Sequence, residues 1–154
     1  MKVVDVMRAG VELLPAETTV QDVAVHMGEH DIGAVLVGSD GKLEGIVTDR
    51  DILLRLVTEG RSAATPIAEV MSTTLFTCIE DDTVEDAFKQ MQDRQIRRMP
   101  VYNADGVLKG IVAMSDLARS DLDMDKLATA RLRGIAEPHR DPTLVKDEES
   151  EPAA

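Results

Sequence analysis

The chain has 154 residues, of which 44% are hydrophobic and 30% charged, and its formal net charge at pH 7 is −12. No run of about 18 consecutive apolar residues occurs, so the sequence predicts no membrane-spanning helix. The negative charge opposes binding to nucleic acid or to an anionic membrane, and aromatic residues are only 2% of the chain, which leaves few rings for stacking on bases.

The N-terminal stretch MKVVDVMRAG lacks the apolar core of a signal peptide, and a cytoplasmic location is the default expectation. The single cysteine, Cys78, excludes an intrachain disulfide and a metal cluster built on cysteines. We expect Cys78 to be a small core residue.

The first half of the chain predicts a helix, a hairpin and a second helix. Apolar residues in TTVQDVAVHM, residues 18–27, recur at i, i+3, i+4 and i+7, and Thr19 with Asp22 resembles a capping box with Asp in place of Glu or Gln. Two apolar runs then flank Asp40-Gly41, which is typical of a hairpin because the turn requires positive φ. The second run leads into GIVTDRDILLRL, residues 45–56, where a helical pattern begins.

The second half repeats this order. DTVEDAFKQM, residues 82–91, matches the first helix at an offset of 64 residues, and MPVYNADGVLKGIVAMSD, residues 99–116, matches residues 34–51 at an offset of 65. The change of offset requires one inserted residue in the second copy, which we place between Ile96 and Pro100.

The repeat predicts an α/β fold made of two tandem units, each with the order strand, helix, strand, strand, helix. Neither copy has enough apolar surface to fold alone, so we expect the copies to pack about a pseudo-twofold axis with two related clefts between them. The predicted boundaries are repeat 1 at 1–59, a linker at 60–68, repeat 2 at 69–120, a helical extension at 121–138 and a disordered acidic tail at 139–154.

Two units of this kind, each closing on a glycine and an aspartate six residues later, resemble a pair of CBS domains, also called a Bateman module. The resemblance covers roughly residues 3–120 and is carried by DVM (5–7), EVM (69–71), the two helices beginning Thr-Val-x-Asp, IRRMPVYNADG (96–106) and the two closing motifs. It implies a regulatory module that binds adenine nucleotides or other adenosyl compounds in the clefts between repeats, and that commonly forms flat homodimers.

The closing motif of the first repeat has two compatible interpretations. Thr48 and Asp51 have the spacing of a helix N-cap and its third residue, which alone would explain TDRD. A carboxylate at that place can also accept two hydrogen bonds from a ribose diol, and the resemblance implies that Asp51 binds ribose and that Thr48 lies near the ribose or phosphate. In the second repeat Asp116 keeps the carboxylate, but Ala113 stands where Thr48 stands and Ser115 is only a substitute cap. We therefore expect unequal sites, with the stronger one at Thr48 and Asp51.

Arg97 and Arg98 are the candidate phosphate ligands. They precede a strand in an acidic chain, and paired guanidinium groups suit bidentate capture of phosphate, although a solvated charged loop explains them equally well. Whether they reach a ligand anchored by Asp51 or by Asp116 stays open. The resemblance places an apolar slot for adenine at Ile32, Gly33, Ala34, Met99 and Pro100, whose alternative role is core packing.

The sequence predicts no metal site. His26 and His30 have the i, i+4 spacing that can bind zinc, but no third ligand is evident beyond the adjacent Glu29, so a helix surface is the default interpretation. His139 lies in the terminal segment and indicates no role.

The leading hypothesis is a module that senses AMP, ADP or ATP, or else NAD(H) or S-adenosylmethionine, and passes a conformational change to a regulated partner protein that the sequence does not identify. AMP or ATP is the expected ligand, no cofactor is required, and a homodimer is expected. The alternative is a protein–protein interaction scaffold with degenerate ligand sites. An enzyme is not expected, because no nucleophile–base set and no phosphate-binding loop is evident.

Overall fold

The structure is a computed structural model that describes residues 1–120. The predicted helical extension at 121–138 and the predicted tail at 139–154 lie outside the described residues. The chain divides into two compact units, of which one is Val11–Leu75 and the other joins Met1–Gly10 to the chain from Phe76 onward. Within residues 1–120, no helix combines the length and the apolar character needed to cross a bilayer.

Within residues 1–120 the two units contain seven strands and four helices, together with two short 3-10 helices at Val3–Asp5 and Ile67–Glu69 and a π-helical stretch at Leu53–Val57 that continues α2. In chain order the elements are β1 Arg8–Ala9, β2 Leu13–Leu14, α1 Val20–His30, β3 Ala34–Ser39, β4 Lys42–Thr48, α2 Asp49–Ile52, β5 Cys78–Ile79, α3 Val84–Arg94, β6 Arg98–Tyr102, β7 Leu108–Ala113 and α4 Met114–Ala118.

The Val11–Leu75 unit is a three-stranded sheet covered by α1. Its strand order is β2-β3-β4, with β2 parallel and β4 antiparallel to β3. Helix α1 begins at Thr19, whose Oγ1 accepts a hydrogen bond from the Asp22 N–H at 3.2 Å. Three residues of the predicted apolar stripe, Val20, Val23 and Met27, are buried in one core with the strand residues Val35, Val37 and Val47, whereas the fourth stripe residue, Ala24, is exposed.

The other unit repeats this design with one more strand. Its order is β1-β7-β6-β5, with β5 parallel to β6 and both β6 and β1 antiparallel to β7. Helix α3 begins at Thr83, whose Oγ1 accepts a hydrogen bond from the Asp86 N–H at 3.1 Å. The core joins α3 to the sheet through Val84, Ala87, Met91, Met99, Val101 and Val112. The predicted α/β fold and the order strand, helix, strand, strand, helix are thus confirmed in both copies.

The extra residue of the second copy lies in its hairpin loop, so our placement between Ile96 and Pro100 was wrong. The Ile96 N–H bonds to the Met91 carbonyl as the Ile32 N–H bonds to that of Met27, which keeps the offset at 64 past the helix. Strand pairing keeps the same offset, because Gly45 lies opposite Val37 and Gly110 lies opposite Val101. The offset becomes 65 only after the turn.

Turn chemistry explains where the extra residue fits. Asp40 and Gly41 have φ of 52° and 73°, which is the geometry of a two-residue hairpin turn. The second turn is longer, and the Asn103 Oδ1 supports it by accepting hydrogen bonds from the Asp105 N–H at 3.0 Å and the Val107 N–H at 2.9 Å. Because the offset changes here, Arg97 and Arg98 are the counterparts of Gly33 and Ala34.

The opening segment of the chain pairs with the strand that closes the second repeat. Arg8 and Ala9 lie opposite Ile111 and Gly110, and the Gly10 N–H bonds to the Lys109 carbonyl at 3.2 Å. In the Val11–Leu75 unit the segment that opens the second repeat makes the equivalent pairing, since Ser72 and Ile46 exchange two backbone hydrogen bonds of 2.8 and 3.0 Å. The boundaries of the compact units therefore differ from those of the sequence repeats, because the opening segment of each repeat pairs within the unit of the other repeat.

Cys78 is a buried residue of β5, as we expected for the single cysteine of the chain. Its side chain is 3% exposed and its Sγ lies 4.0 Å from the Pro100 carbonyl oxygen. Burial, with a smaller contribution from the Asp82 carboxylate, raises the pKa of Cys78 from 9.0 to about 12. The thiol therefore stays protonated in the folded chain at pH values where an exposed cysteine ionises.

We expect Cys78 to react with a thiol reagent such as Ellman's reagent only after unfolding. At pH 8 the folded chain should label far more slowly than the same chain in guanidinium chloride, and absorbance follows both reactions. Because the unfolded thiol ionises first, folding stability should fall as the pH rises from 9.0 towards about 12. Labelling of the folded chain as fast as of the unfolded chain would contradict this assignment.

Candidate functional site

Asp51 is a buried carboxylate at the start of α2. The residue is 1% exposed, and its Oδ2 accepts a hydrogen bond from the Thr48 N–H at 2.8 Å. In return the Thr48 Oγ1 accepts a hydrogen bond from the Asp51 N–H at 3.1 Å. The predicted cap is therefore present as a reciprocal capping box, in which one of the two hydrogen bonds holds the carboxylate and the other holds the Asp51 backbone N–H.

The first residues of β3 lie beside this cap. Ala34 pairs with Thr48 across the β3–β4 ladder, and the Asp49 N–H bonds to the Gly33 carbonyl at 3.1 Å. Ile32 is half-buried against the core of the same unit. The structure thus brings together five of the predicted site residues, which we call the Asp51 set: Ile32, Gly33, Ala34, Thr48 and Asp51.

Asp116 occupies the equivalent place in the other unit without the threonine hydroxyl. Its Oδ2 accepts a hydrogen bond from the Ala113 N–H at 2.9 Å, and its Oδ1 accepts one from the Arg119 Nη2 at 3.3 Å. The side chain of Asp116 is 10% exposed and that of Arg119 is 71% exposed. A solvated cation therefore lies against a largely buried carboxylate.

Arg97 and Arg98 lie at the same end of the sheet as Asp116. The Met114 N–H bonds to the Arg97 carbonyl at 2.7 Å, and Arg98 pairs with Ala113 across the β6–β7 ladder. Arg97 is exposed and Arg98 half-buried. With Met99 and Pro100, which follow on the same strand, these residues form what we call the Asp116 set: Arg97, Arg98, Met99, Pro100 and Asp116.

The predicted adenine slot divides between the two sets. Met99 is fully buried in the core shared with α3, whereas Pro100 is buried on the opposite face of its strand, the face that also carries Arg98. The revised alignment explains the difference, because Met99 is the counterpart of the core residue Val35 rather than of Ala34. A role for these residues in binding adenine stays a prediction.

Two arginines near the candidate carboxylates were not identified from the sequence. Arg119 follows Asp116 by three residues, and this i, i+3 spacing on a helix is a pattern that could have indicated the pairing. Arg55 donates from its Nη1 to the carbonyl oxygens of Val70 and Met71 at 3.0 and 3.2 Å. No sequence pattern indicates that contact, because it joins residues 15 and 16 positions apart.

Thr48→Ala should weaken the helix cap of the first repeat, and Ala113→Thr should strengthen that of the second. Thr48→Ala removes the Oγ1 that accepts the Asp51 N–H and should lower the free energy of unfolding by about 1 kcal/mol, whereas Ala113→Thr should raise it by up to about 1 kcal/mol. Urea denaturation without ligand measures both. Thr73→Ala, at an exposed threonine, is the control and should change little. A stabilising Thr48→Ala would contradict the capping role.

No group of three or more histidine, cysteine, aspartate or glutamate side chains with the geometry of a metal site occurs within residues 1–120. The geometry of both sets instead suits a polar, hydroxyl-bearing ligand. Each set offers a carboxylate held by a backbone N–H at the first turn of a helix, beside the first residues of a neighbouring strand.

Comparison with known proteins identifies the family of the chain. The family model for the CBS domain matches residues 3–58 and again residues 67–123. CBS domain-containing protein YhcV of Bacillus subtilis (strain 168) is 38% identical over 126 residues, which are 82% of this chain and 89% of that protein.

Two solved structures share the architecture. The crystal structure of Hypoxic Response Protein I with two coordinated zinc ions has a TM-score of 0.68 at 32% identity, covering 78% of this chain and 98% of that one. CBS domain protein PAE2072 from Pyrobaculum aerophilum, complexed with AMP, has a TM-score of 0.73 and covers 84% of this chain and 99% of that one. At 23% identity this second likeness concerns the fold alone. With both repeats matched by the family model, the chain belongs to the CBS-domain family and carries two tandem copies of the domain.

Proposed function

We propose that this chain is a regulatory module that binds an adenine nucleotide or a related adenosyl compound and passes a conformational change to a partner protein. AMP and ATP are the first ligands to test, because a protein of the same fold, PAE2072, is complexed with AMP. The proposal includes a homodimer acting in the cytoplasm and assigns no catalytic residue.

The observation that carries the proposal is the buried, capped carboxylate of Asp51. A carboxylate is the acceptor that suits a ribose diol, because its two oxygens can accept hydrogen bonds from two hydroxyl groups, and the Thr48 N–H at 2.8 Å from Oδ2 holds this carboxylate at the start of the helix. The Thr48 hydroxyl adds a second polar group one turn away along the same helix start.

Burial of Asp51 gives binding a route to a conformational change. The residue is 1% exposed, so a diol reaches its carboxylate only when side chains around it move. A ligand that binds the opened arrangement more tightly than the closed one shifts the population towards it, which is the requirement for a signal.

Arg97 and Arg98 support a phosphate-bearing ligand. Arg98 begins β6 and Arg97 precedes it, and both backbones lie at the sheet end that holds Asp116, in a chain whose net charge is −12. Guanidinium groups bind phosphate oxygens through paired hydrogen bonds and offset the repulsion that an acidic chain exerts on an anion.

The two sets are proposed to bind unequally, with the tighter ribose contact at Asp51. Asp116 lacks a threonine partner, and Arg119 already donates to its Oδ1 at 3.3 Å. That ion pair involves a side chain that is 71% exposed, so it contributes little stability and a ligand can displace it, but the displacement still lowers the affinity.

A ligand screen tests the function. Thermal unfolding of the full chain is measured with AMP, ADP, ATP, NADH and S-adenosylmethionine, and a ligand at 100 times its dissociation constant should stabilise the fold by about 2.7 kcal/mol. Adenosine and GMP are the matched controls, because the first lacks the phosphate and the second has a different base. We expect at least one adenine nucleotide to stabilise more than both controls.

The alternative is an interaction scaffold whose ligand sites are degenerate. Ala113 in place of a threonine and the Arg119–Asp116 ion pair favour it at the second set. No stabilisation by any adenosyl compound, together with no binding by calorimetry at millimolar concentration, would reject the sensor and support the scaffold.

A further inference from the structure

We infer that His26 and His30 form a two-imidazole binding site for a late first-row divalent cation such as Zn²⁺ or Ni²⁺. The two residues lie in the last turns of α1, four positions apart and therefore on one face of the helix. This site is separate from both the Asp51 set and the Asp116 set, and the inference does not depend on the proposed nucleotide.

The two rings are already close together. Their centroids are 4.2 Å apart and their planes are inclined by 33°. His30 is exposed and His26 half-buried, so a hydrated ion can reach the pair without unfolding the helix. A chelating pair of imidazoles needs one nitrogen of each ring within about 2.0–2.1 Å of the same ion, so the two rings have to be close neighbours.

A hydrogen bond fixes the nitrogen of His30 that faces the ion. The His30 Nδ1 lies 2.9 Å from the His26 carbonyl oxygen. A carbonyl oxygen can only accept, so Nδ1 carries the hydrogen of this bond and Nε2 keeps its lone pair in the neutral ring. Metal-binding histidines commonly have their second ring nitrogen held in this way, by a carbonyl or carboxylate that orients the ring.

The electrostatic surroundings favour a cation. The pair lies at the C-terminal end of an 11-residue helix, where the unpaired carbonyl groups give the macrodipole its negative end. Glu29 precedes His30, and Asp31, which caps the helix in the left-handed conformation at φ 51°, follows it. The chain as a whole carries a net charge of −12, which also attracts a divalent cation.

The duplicated helix shows that the fold itself does not impose this pair. With the offset of 64 that holds through α3, Gln90 and Arg94 are the counterparts of His26 and His30. The Arg94 guanidinium lies 4.3 Å from the centroid of the Phe76 ring, an arrangement that uses the same helix position for a cation–π contact. The histidine pair is thus a property of the first repeat.

Only two protein ligands are assigned, since residues 1–120 hold no group of three. Water completes the coordination, and the absence of a third ligand is why the sequence pattern alone predicted a plain helix surface. The ring approach and the His30 hydrogen bond are the observations that change this interpretation. The zinc ions of Hypoxic Response Protein I belong to that protein, and the inference rests on the histidines of this chain.

Calorimetric titration of the tag-free full chain with ZnCl₂ or NiCl₂ tests the site. We expect one saturable equivalent per chain, and His26→Gln or His30→Gln should each weaken binding by about tenfold or more, because the second imidazole acts as an intramolecular ligand. His139→Gln is the matched control and should bind as the unaltered chain does. Mg²⁺, which prefers oxygen ligands, should not compete.

Circular dichroism should show that α1 stays folded in both His26→Gln and His30→Gln. Binding that is unchanged in both His26→Gln and His30→Gln, or that is lost in His139→Gln, would overturn the inference. Competition by equimolar Mg²⁺ would also overturn it, because it would indicate a site built on carboxylates.

Discussion

Asp51→Asn is expected to abolish most of the stabilisation that an adenine nucleotide gives to this chain. Asparagine keeps an oxygen that can accept the Thr48 N–H, now 2.8 Å from Oδ2, so the cap and the unliganded fold should survive. It replaces the second carboxylate oxygen with an NH₂ group, which cannot accept from a ribose hydroxyl. Of the about 2.7 kcal/mol expected at 100 times the dissociation constant, little should remain.

The measurement is thermal or urea unfolding with and without the nucleotide, and the control is Asp49→Asn. Asp49 is exposed, and its Oδ1 accepts a hydrogen bond from the neighbouring Arg50 N–H, so this variant makes the same change in net charge two residues away. Asp116→Asn should reduce the stabilisation less than Asp51→Asn. Full retention of the ligand effect in Asp51→Asn would remove Asp51 from the proposed site.

Gly110→Ala should destabilise the unit that contains it by about 1–3 kcal/mol or more. A Cβ at Gly110 would overlap the carbonyl oxygen of Arg8 and lie 3.0 Å from its carbonyl carbon and 3.3 Å from the Ala9 Cα. These atoms belong to the backbone of β1, so no side-chain rotation relieves the contact. Strand β1 must then separate from β7, or β7 must shift.

Urea denaturation measures the loss, and hydrogen exchange of the Gly10 amide, which bonds to the Lys109 carbonyl, reports whether β1 has separated. Gly28→Ala is the control. Nothing lies within 4 Å of a Cβ built there, and alanine in a helix is about 0.5–1 kcal/mol more favourable than glycine, so this variant should stabilise the chain. A Gly110→Ala chain as stable as the unaltered one, with Gly10 still protected, would show that β1 does not hold the position described.

Gly45→Ala in the other unit should be milder. Its nearest neighbours would be Sδ and Cγ of Met71 at 2.5 and 2.9 Å, with the Ser72 carbonyl oxygen at 2.9 Å. A methionine side chain is flexible and can move aside, whereas the Ser72 carbonyl cannot. The Gly45 variant should thus keep only the 2.9 Å crowding against the Ser72 carbonyl oxygen, which is less severe than the overlap with the Arg8 carbonyl oxygen at Gly110.

The sequence was sufficient to predict the helices and the repeated fold, because long amphipathic segments with a threonine cap leave a strong periodic pattern. It was also sufficient to predict the helix cap formed by Thr48 and Asp51, since a capping box involves only residues that are close in sequence. It was not sufficient for the inserted residue, whose position depends on strand register and turn geometry rather than on residue identity. The two-residue strand β1 is too short for a periodic pattern, so its pairing with β7 was missed.

The capped positions of the two candidate carboxylates, Asp51 and Asp116, were predictable from the sequence, whereas their neighbours were less so. The revised alignment assigns Arg97 and Arg98 as counterparts of Gly33 and Ala34. At this equivalent place the Asp116 set therefore carries two cations, whereas the Asp51 set carries two small uncharged residues. Arg119 was missed because an i, i+3 spacing from Asp116 permits an ion pair without requiring one, and only coordinates reveal that its Nη2 reaches Asp116.

The pairing of β1 with β7 also has a consequence for synthesis on the ribosome. Val11–Leu75 is continuous in the chain, so its sheet and covering helix can close once Ser72 has emerged and bonded to Ile46. Arg8 and Ala9 are made before that unit but have no strand to join until Ile111 is made, roughly a hundred residues later. A two-residue strand synthesised ahead of one compact unit is thus among the last elements of the other to find its place.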